Sequence, residues 1–418
     1  MITHLKGLAF AGMTSLAALT APAAMADVEI EYWQYFFDAR VDAMSQLIEK
    51  FEAANPGITV KMSHFPYADY RTKVAAAIPA GEGPDVVQLF YGWLNDYIEA
   101  DLIQPLPTAS FDPAEVDSDF FPMVQAMKRD GQYYALPTAV RSLALFYNER
   151  LFKEAGIDKA PETLDELVEA AKACTKVDGA GNLTQVGFTT GMNAQDHHWF
   201  REVLVRQFGG DPYNDDYKTV NYATDAGEKA LAFYTGLETE HKVTKAGFMD
   251  EPQAAFKASR ACMHIDGSFR IGSLNKIRGL KWGVAELPAN NEGVRANYSS
   301  YWVNAVTTKA EGEKQEAALK FMDYITSDEA MQVWLDVVGE LPAKPSVGMT
   351  DTNANDPVFG PFIRGLAYAN TTKFANESAQ RAELMQMVER VFLQDAELMD
   401  SLKAAAVAEQ KILDDYYK

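Results

Sequence analysis

From residue 28 the chain alternates short apolar runs with longer stretches of helical spacing. Val28-Glu29-Ile30-Glu31-Tyr32-Trp33 reads as a strand. Residues 41–54 follow as an amphipathic helix, with Met44, Leu47, Ile48 and Phe51 on one face, and Asn55-Pro56-Gly57 breaks it. A strand over 58–62, a helix over 67–78 and an apolar strand over 85–90 complete a β-α-β-α-β unit. That alternation predicts a mostly parallel sheet covered by helices on both faces. In such sheets the ligand crevice lies beyond the carboxyl ends of the strands. The aromatic loops 34–38 and 91–95 fall at those ends.

Further on, short strands are expected at 133–136 and 143–147, joined by Pro137-Thr138-Ala139-Val140-Arg141-Ser142, which has little periodicity. Helices are expected over 149–154, 164–175, 196–208 and 224–240, the third ending at Gly209-Gly210. Ala254–Phe256 closes a short helix, residues 261–265, 282–285 and 302–307 read as strands, and the chain turns helical after Glu311. No repeat or long flexible linker separates the halves, so a second α/β lobe is expected tightly joined to the first.

The first residues change the picture. A basic start ending at Lys6, an apolar Ala/Leu-rich run over 8–24 and the small-x-small sequence Ala24-Met25-Ala26 form a secretory signal, with cleavage expected after Ala26. The run is short for a membrane span, which needs about 20 apolar residues. The remainder exceeds the size at which one core stops growing, so two domains are expected. The formal net charge of −21 disfavours nucleic acid and anionic lipid as partners. Cys174 falls on a predicted helix and Cys262 in a predicted strand; a disulfide is permitted outside the cytoplasm, but two separately buried thiols are the simpler reading.

Four stretches, in order behind a secretory signal, resemble a known family: GEGPDVVQLFYGWLNDYIEADLIQPL from Gly81, YALPTAVRSLALFYNERLFKEAGI from Tyr134, ACMHIDGSFRIGSL from Ala261, and the helix from Phe321 that leads to GELPAKP. The family is the extracellular solute-binding proteins of ABC importers, in the carbohydrate-binding group that includes maltose-binding protein. The resemblance implies two lobes, each a mostly parallel sheet flanked by helices, with three hinge crossings near 137–141, 297–301 and 339–345. The lobes would then comprise residues 27–138 with 300–339, and 139–299 with 340–418.

A sugar presents hydroxyls at its edge and C–H faces above and below, so a site for it needs flat aromatic rings and polar groups. Tyr35 and Phe36 follow the first strand, and Tyr91, Gly92 and Trp93 follow the strand opened by Pro84-Asp85. By the resemblance, Tyr91, Gly92, Trp93 and Trp199 match ligand-contact positions, and Asp266, Gly267, Ser268 and Phe269 form a turn presenting another aromatic. Thr138 and Arg141 stand in the first crossing, and Tyr301 and Trp302 beside the second. Each aromatic has core packing as its ordinary alternative; Trp33 and Trp282, inside strands, are assigned to the core. Where the maltose-binding member holds an acidic sugar-contacting residue, this chain has Arg141. Its guanidinium suits either a ligand carboxylate, sulfonate or phosphate, or a salt bridge within the hinge. Asn376, Glu377 and Arg381 are weaker candidates for a last binding segment.

Asp196-His197-His198 is read as a helix start with solvated histidines, since adjacent histidines do not share an ion as an i, i+4 pair does, and no metal is expected. No nucleophile elbow, phosphate loop or dinucleotide fingerprint stands in context, and no cofactor is expected. The expectation is therefore a periplasmic monomer that binds a sugar or an anionic sugar derivative and serves membrane permease subunits. The rivals are a carbohydrate-active enzyme, which needs a spaced carboxylate pair, and a sugar sensor without a transport role.

Overall fold

The computed structural model describes residue 1 and residues 28–418; the expected signal sequence and its cleavage site lie outside the described residues. Strand β1 (Val28–Tyr35) leads to helix α1 (Asp38–Ala54), then β2 (Ile58–Phe65), α2 (Tyr67–Ala77) and β3 (Val86–Phe90). β1 lies parallel between β2 and β3, as the β-α-β-α-β reading requires. Helix α1 turns Met44, Leu47, Ile48 and Phe51 inward, so the helical spacing seen in the sequence is the face it buries.

The segment expected as two strands around an irregular hinge is one strand, β4 (Ala135–Asn148). Pro137, Thr138, Ala139 and Val140 are all buried, so the run shows no polar alternation, which is why its strand character was hidden. Helix α3 (Leu164–Cys174) and strands β5 (Leu183–Phe188), β6 (Ala261–Gly267) and β7 (Trp282–Ala285), with helix α4 (Asp225–Thr239) between β5 and β6, build the second half. Strand β8 (Asn297–Val306) returns to the first half and starts five residues earlier than its periodicity suggested. Helix α5 (Asp328–Val338), the two-residue strand β9 (Leu341–Pro342), and the terminal helices α6 (Glu377–Gln394) and α7 (Leu398–Tyr416) complete the elements that matter here.

The strands join in the order β2-β1-β3-β8-β4-β6-β5, with β7 and β9 also paired to β4. The parallel arrangement holds within β1–β3 and between β5 and β6. The joining strands β8 and β4 run antiparallel to their neighbours, so each half is a mixed sheet. Two buried apolar clusters flank this path. One centres on β1–β3, β8 and α1; the other on α3, α4, β5, β6 and the terminal helices. The second is stapled by a Cys174–Cys262 disulfide between α3 and β6, with Cα atoms 6.3 Å apart. This corrects the reading of two separate thiols: both residues are core positions, and the packing of α3 on the sheet brings them face to face.

Candidate functional site

The carboxyl ends of β1 and β3 meet the bulged centre of β8. Tyr35, the last residue of β1, places its ring 4.4 Å from that of Trp302. Trp302 pairs with Phe90 at the end of β3, and the register of β8 against β4 slips immediately after it. A bulge of this kind re-aims a side chain. Trp93, in the turn following β3, stands edge-on to Trp302 at 5.3 Å. Tyr67, at the start of α2, completes the ring cluster at 5.5 Å from Tyr35 and is 65% exposed. The sequence reading missed Tyr67; its place after Pro66, at a helix start beyond a strand end, is the signal that would have found it. Arg71, one turn further along α2, lies over the Trp93 ring.

Arg141 links this cluster to the opposite side. Its Nη2 donates to the Tyr35 hydroxyl at 3.1 Å, and its guanidinium lies 5.5 Å from the centre of the Phe269 ring, which is 40% exposed. The pairing of Val140 with Leu341 sets Glu340 beside Arg141, and Arg141 Nε donates to Glu340 Oε1 at 2.7 Å. Glu340 also accepts from Arg40 Nη2 and from Trp334 Nε1 at 2.9 Å. Burial opposes ionisation of Glu340, but the two guanidiniums and the Trp334 N–H outweigh it and hold the carboxyl down at about 2. Of the two roles open to Arg141, the hinge salt bridge is therefore present in the structure.

Phe36 is exposed beside His64. Tyr91 is buried; its ring packs on Tyr301, and its hydroxyl shares a 2.9 Å hydrogen bond with that of Tyr298. Gly92 backs onto Phe90, where a Cβ would approach the ring to 3.0 Å. Ser268 is buried at the start of the turn that exposes Phe269, and its Oγ has no partner among the described residues.

Several expected contacts are instead structural. Trp199 is 1% exposed and packs against Phe188 and Tyr234 in the second core, because the helical run 196–207 turns that face inward. Tyr301 is buried with its hydroxyl donating to the Met123 carbonyl. Thr138 accepts from Asn304 Nδ2 at 3.0 Å, also in the core. Asp266 and Gly267 belong to strand β6 rather than to a turn. Asp266 is buried and accepts from His264 Nε2, Arg270 Nε and the Gly267 N–H. A Cβ on Gly267 would lie 2.2 Å from the Phe269 ring, so glycine lets that ring fold back over the strand end. Asn376 caps α6 by accepting from the Ala379 N–H.

His197 and His198 are buried, which corrects the solvated reading. His198 stacks on Tyr298, ring centres 3.7 Å apart. Burial, helped by the charges of Arg201 and Arg381, pushes both imidazoles well below their usual pKa, so they are neutral. Burial likewise raises the Glu377 carboxyl against the opposing charges of Arg381, Arg201 and Arg71.

Residues 46–361 match the family described as bacterial extracellular solute-binding protein. The chain belongs to that family. Among its relatives, the maltotriose-binding protein of Pyrococcus abyssi (strain GE5 / Orsay) is 27% identical over 82% of this chain and 72% of its own length. Two solved structures, each 21% identical, are similar over 93% of the chain. The cyclic alpha-maltosyl-1,6-maltose binding protein from Arthrobacter globiformis is covered over 99%, with a TM-score of 0.80. The sugar-binding protein MalE from Xanthomonas citri is covered over 98%, with a TM-score of 0.78. This solute-binding protein therefore has the two-lobed α/β fold of those neighbours, and the relatives compared are binding proteins rather than enzymes. Its family is one that works outside the cytoplasm, and among the described residues no helix is long and apolar enough to cross a membrane.

Proposed function

We propose that this solute-binding protein captures a sugar or sugar derivative between its two lobes and delivers it, unaltered, to the membrane permease subunits of an ABC importer. One observation carries the reading. The rings of Tyr35, Trp302 and Trp93 gather at the carboxyl ends of β1 and β3 with Tyr67 exposed beside them, while the exposed Phe269 stands beyond Arg141. Tyr35 and Trp302 are themselves buried and back the cluster, while the exposed rings of Tyr67 and Phe269, with Arg141 between them, suit the C–H faces and hydroxyls of a sugar. The relatives that bind maltotriose and a cyclic maltooligosaccharide support the same chemistry.

In this reading the first lobe takes residues 27–138 and 300–339, and the second 139–299 and 340–418. Three crossings then act as the hinge, and a solute touching both walls shifts the population to the closed form. The protein leaves the cytoplasm by its signal sequence, loses residues 1–26, and works as a periplasmic monomer without cofactor, catalysis or nucleic acid partner. An acidic substituent on the sugar belongs to the proposal only through Arg141. A calorimetric titration in which Arg141→Ala binds undiminished removes that part.

The test is a thermal-shift screen over sugars, polyols and acidic sugars. A ligand at a hundred times its dissociation constant adds about 2.7 kcal/mol of stability. At least one oligosaccharide is expected to raise the midpoint. No shift across the panel, or turnover of a glycoside that does bind, would count against the reading.

A further inference from the structure

Three groups outside the ring cluster stand together. His197, His198 and Glu377 each offer one donor atom, and these atoms lie within 4.8 Å of one another. Neighbouring residues of an ordinary α-helix point about 100° apart, which keeps adjacent histidines from sharing a ligand. Here the helix passes from an α turn at Asp196–His198 directly into a π turn over Trp199–Leu204. Such turns recur at functional sites. The two imidazole centres are 3.7 Å apart, and the Tyr298 ring stacks on His198 at the same distance. Glu377 arrives from a different element, at the first turn of α6.

An independent observation points to a ligand. The Nδ1 atoms of His197 and His198 are buried and have no hydrogen-bond partner among the described residues. Buried imidazole nitrogens are normally satisfied, and an unpartnered pair asks for an explanation.

We propose that His197, His198 and Glu377 form a three-donor site for a first-row divalent cation of the zinc class. Two imidazoles and a carboxylate are a donor set that zinc accepts with a fourth position open. Water or a solute hydroxyl would fill it. Metal–donor distances of about 2.1 Å require the three groups to draw together, which the Glu377 side chain can supply by changing rotamer. The nearby cations weigh against the ion: Arg201 is matched by Glu409 at 3.0 Å, whereas Arg381 makes no salt bridge among the described residues. The affinity is accordingly expected to fall below that of a structural zinc site.

The experiment uses tag-free, EDTA-stripped protein with no sugar present, so its outcome is independent of sugar capture. Zinc chloride is titrated calorimetrically, and cobalt(II) is followed by its visible absorption. One equivalent is expected, with a tetrahedral cobalt spectrum. Glu377→Gln, at a half-buried helix start, and His198→Asn are each expected to weaken binding at least tenfold. His241→Ala, outside the cluster, should change nothing. Less than one equivalent in the wild type, or less than threefold weakening in Glu377→Gln, would overturn the proposal. Since Glu377→Gln removes a carboxylate without removing volume, unchanged thermal unfolding is expected to show that its loss of zinc is local.

Discussion

Arg141 and Glu340 meet at 2.7 Å although 199 positions apart, because Val140 on β4 pairs with Leu341 on β9. Their pairing ties the long strand shared by both halves to the segment that follows α5. Glu340 is enclosed, its carboxylate oxygens taken up by Arg141, Arg40 and Trp334. Removing one member of such a group leaves buried charge without compensation, at about 3–5 kcal/mol. Glu340→Gln should therefore lose that much in urea unfolding. A loss below 1 kcal/mol would mean the pair is incidental.

The same residue makes stability depend on pH. Its carboxyl is held at about 2 when folded, against 4.5 as the ordinary value. A depressed folded value stabilises fully above the unfolded pKa and is lost as pH falls through the window from 4.5 to 2. The contribution is on the order of 3 kcal/mol. His197 and His198, lowered by burial, act with the same sign and begin to cost stability below their ordinary value of 6.5. Urea unfolding between pH 7 and pH 3 should show a steady decline in the wild type. Glu340→Gln should flatten the part below pH 4.5; an equal slope in both proteins would contradict the assignment.

Exposure separates binding aromatics from packing ones. Tyr67→Ala and Trp93→Ala should weaken sugar binding by about 10- to 100-fold, as loss of an aromatic anchor does, with little change in unfolding midpoint. Trp199→Ala should do the reverse, costing about 3–5 kcal/mol of stability through a core cavity. Calorimetric titration paired with thermal unfolding of the three variants checks the contrast. Unchanged affinity in both Tyr67→Ala and Trp93→Ala would move the site elsewhere.

The disulfide closes a loop of 88 residues in the second half. Chain-entropy reasoning assigns such a closure about 4.5 kcal/mol. Unfolding of the Cys174→Ala/Cys262→Ala variant should occur at a lower denaturant midpoint, and added reductant should lower the wild-type midpoint but not the variant's. Equal midpoints for wild type and variant would show that packing of α3 alone suffices.

Helix α1 and the β1–β3 unit were legible because their apolar spacing is regular and Asn55-Pro56-Gly57 punctuates it. The ring cluster was half legible. Tyr35 and Trp93 stood at strand ends where the crevice rule places a site, whereas Trp302 lies mid-strand and Tyr67, the first residue of a helix pattern, was marked only by its place after Pro66. What the sequence concealed depends on three-dimensional partners. The continuity of β4 was masked by burial of successive residues, Glu340 was one carboxylate among 59, and the pairing of Cys174 with Cys262 requires knowing how α3 lies on the sheet. Trp199 and His198 are neighbours on one helical run, and only the π turn and its packing decide which of them reaches Tyr298.

Small-angle X-ray scattering, with and without a saturating sugar found in the thermal screen, tests the capture mechanism most directly. Closure of the lobes predicts a smaller radius of gyration on binding, reversed when the sugar is dialysed away. Superimposable curves at full saturation would contradict it.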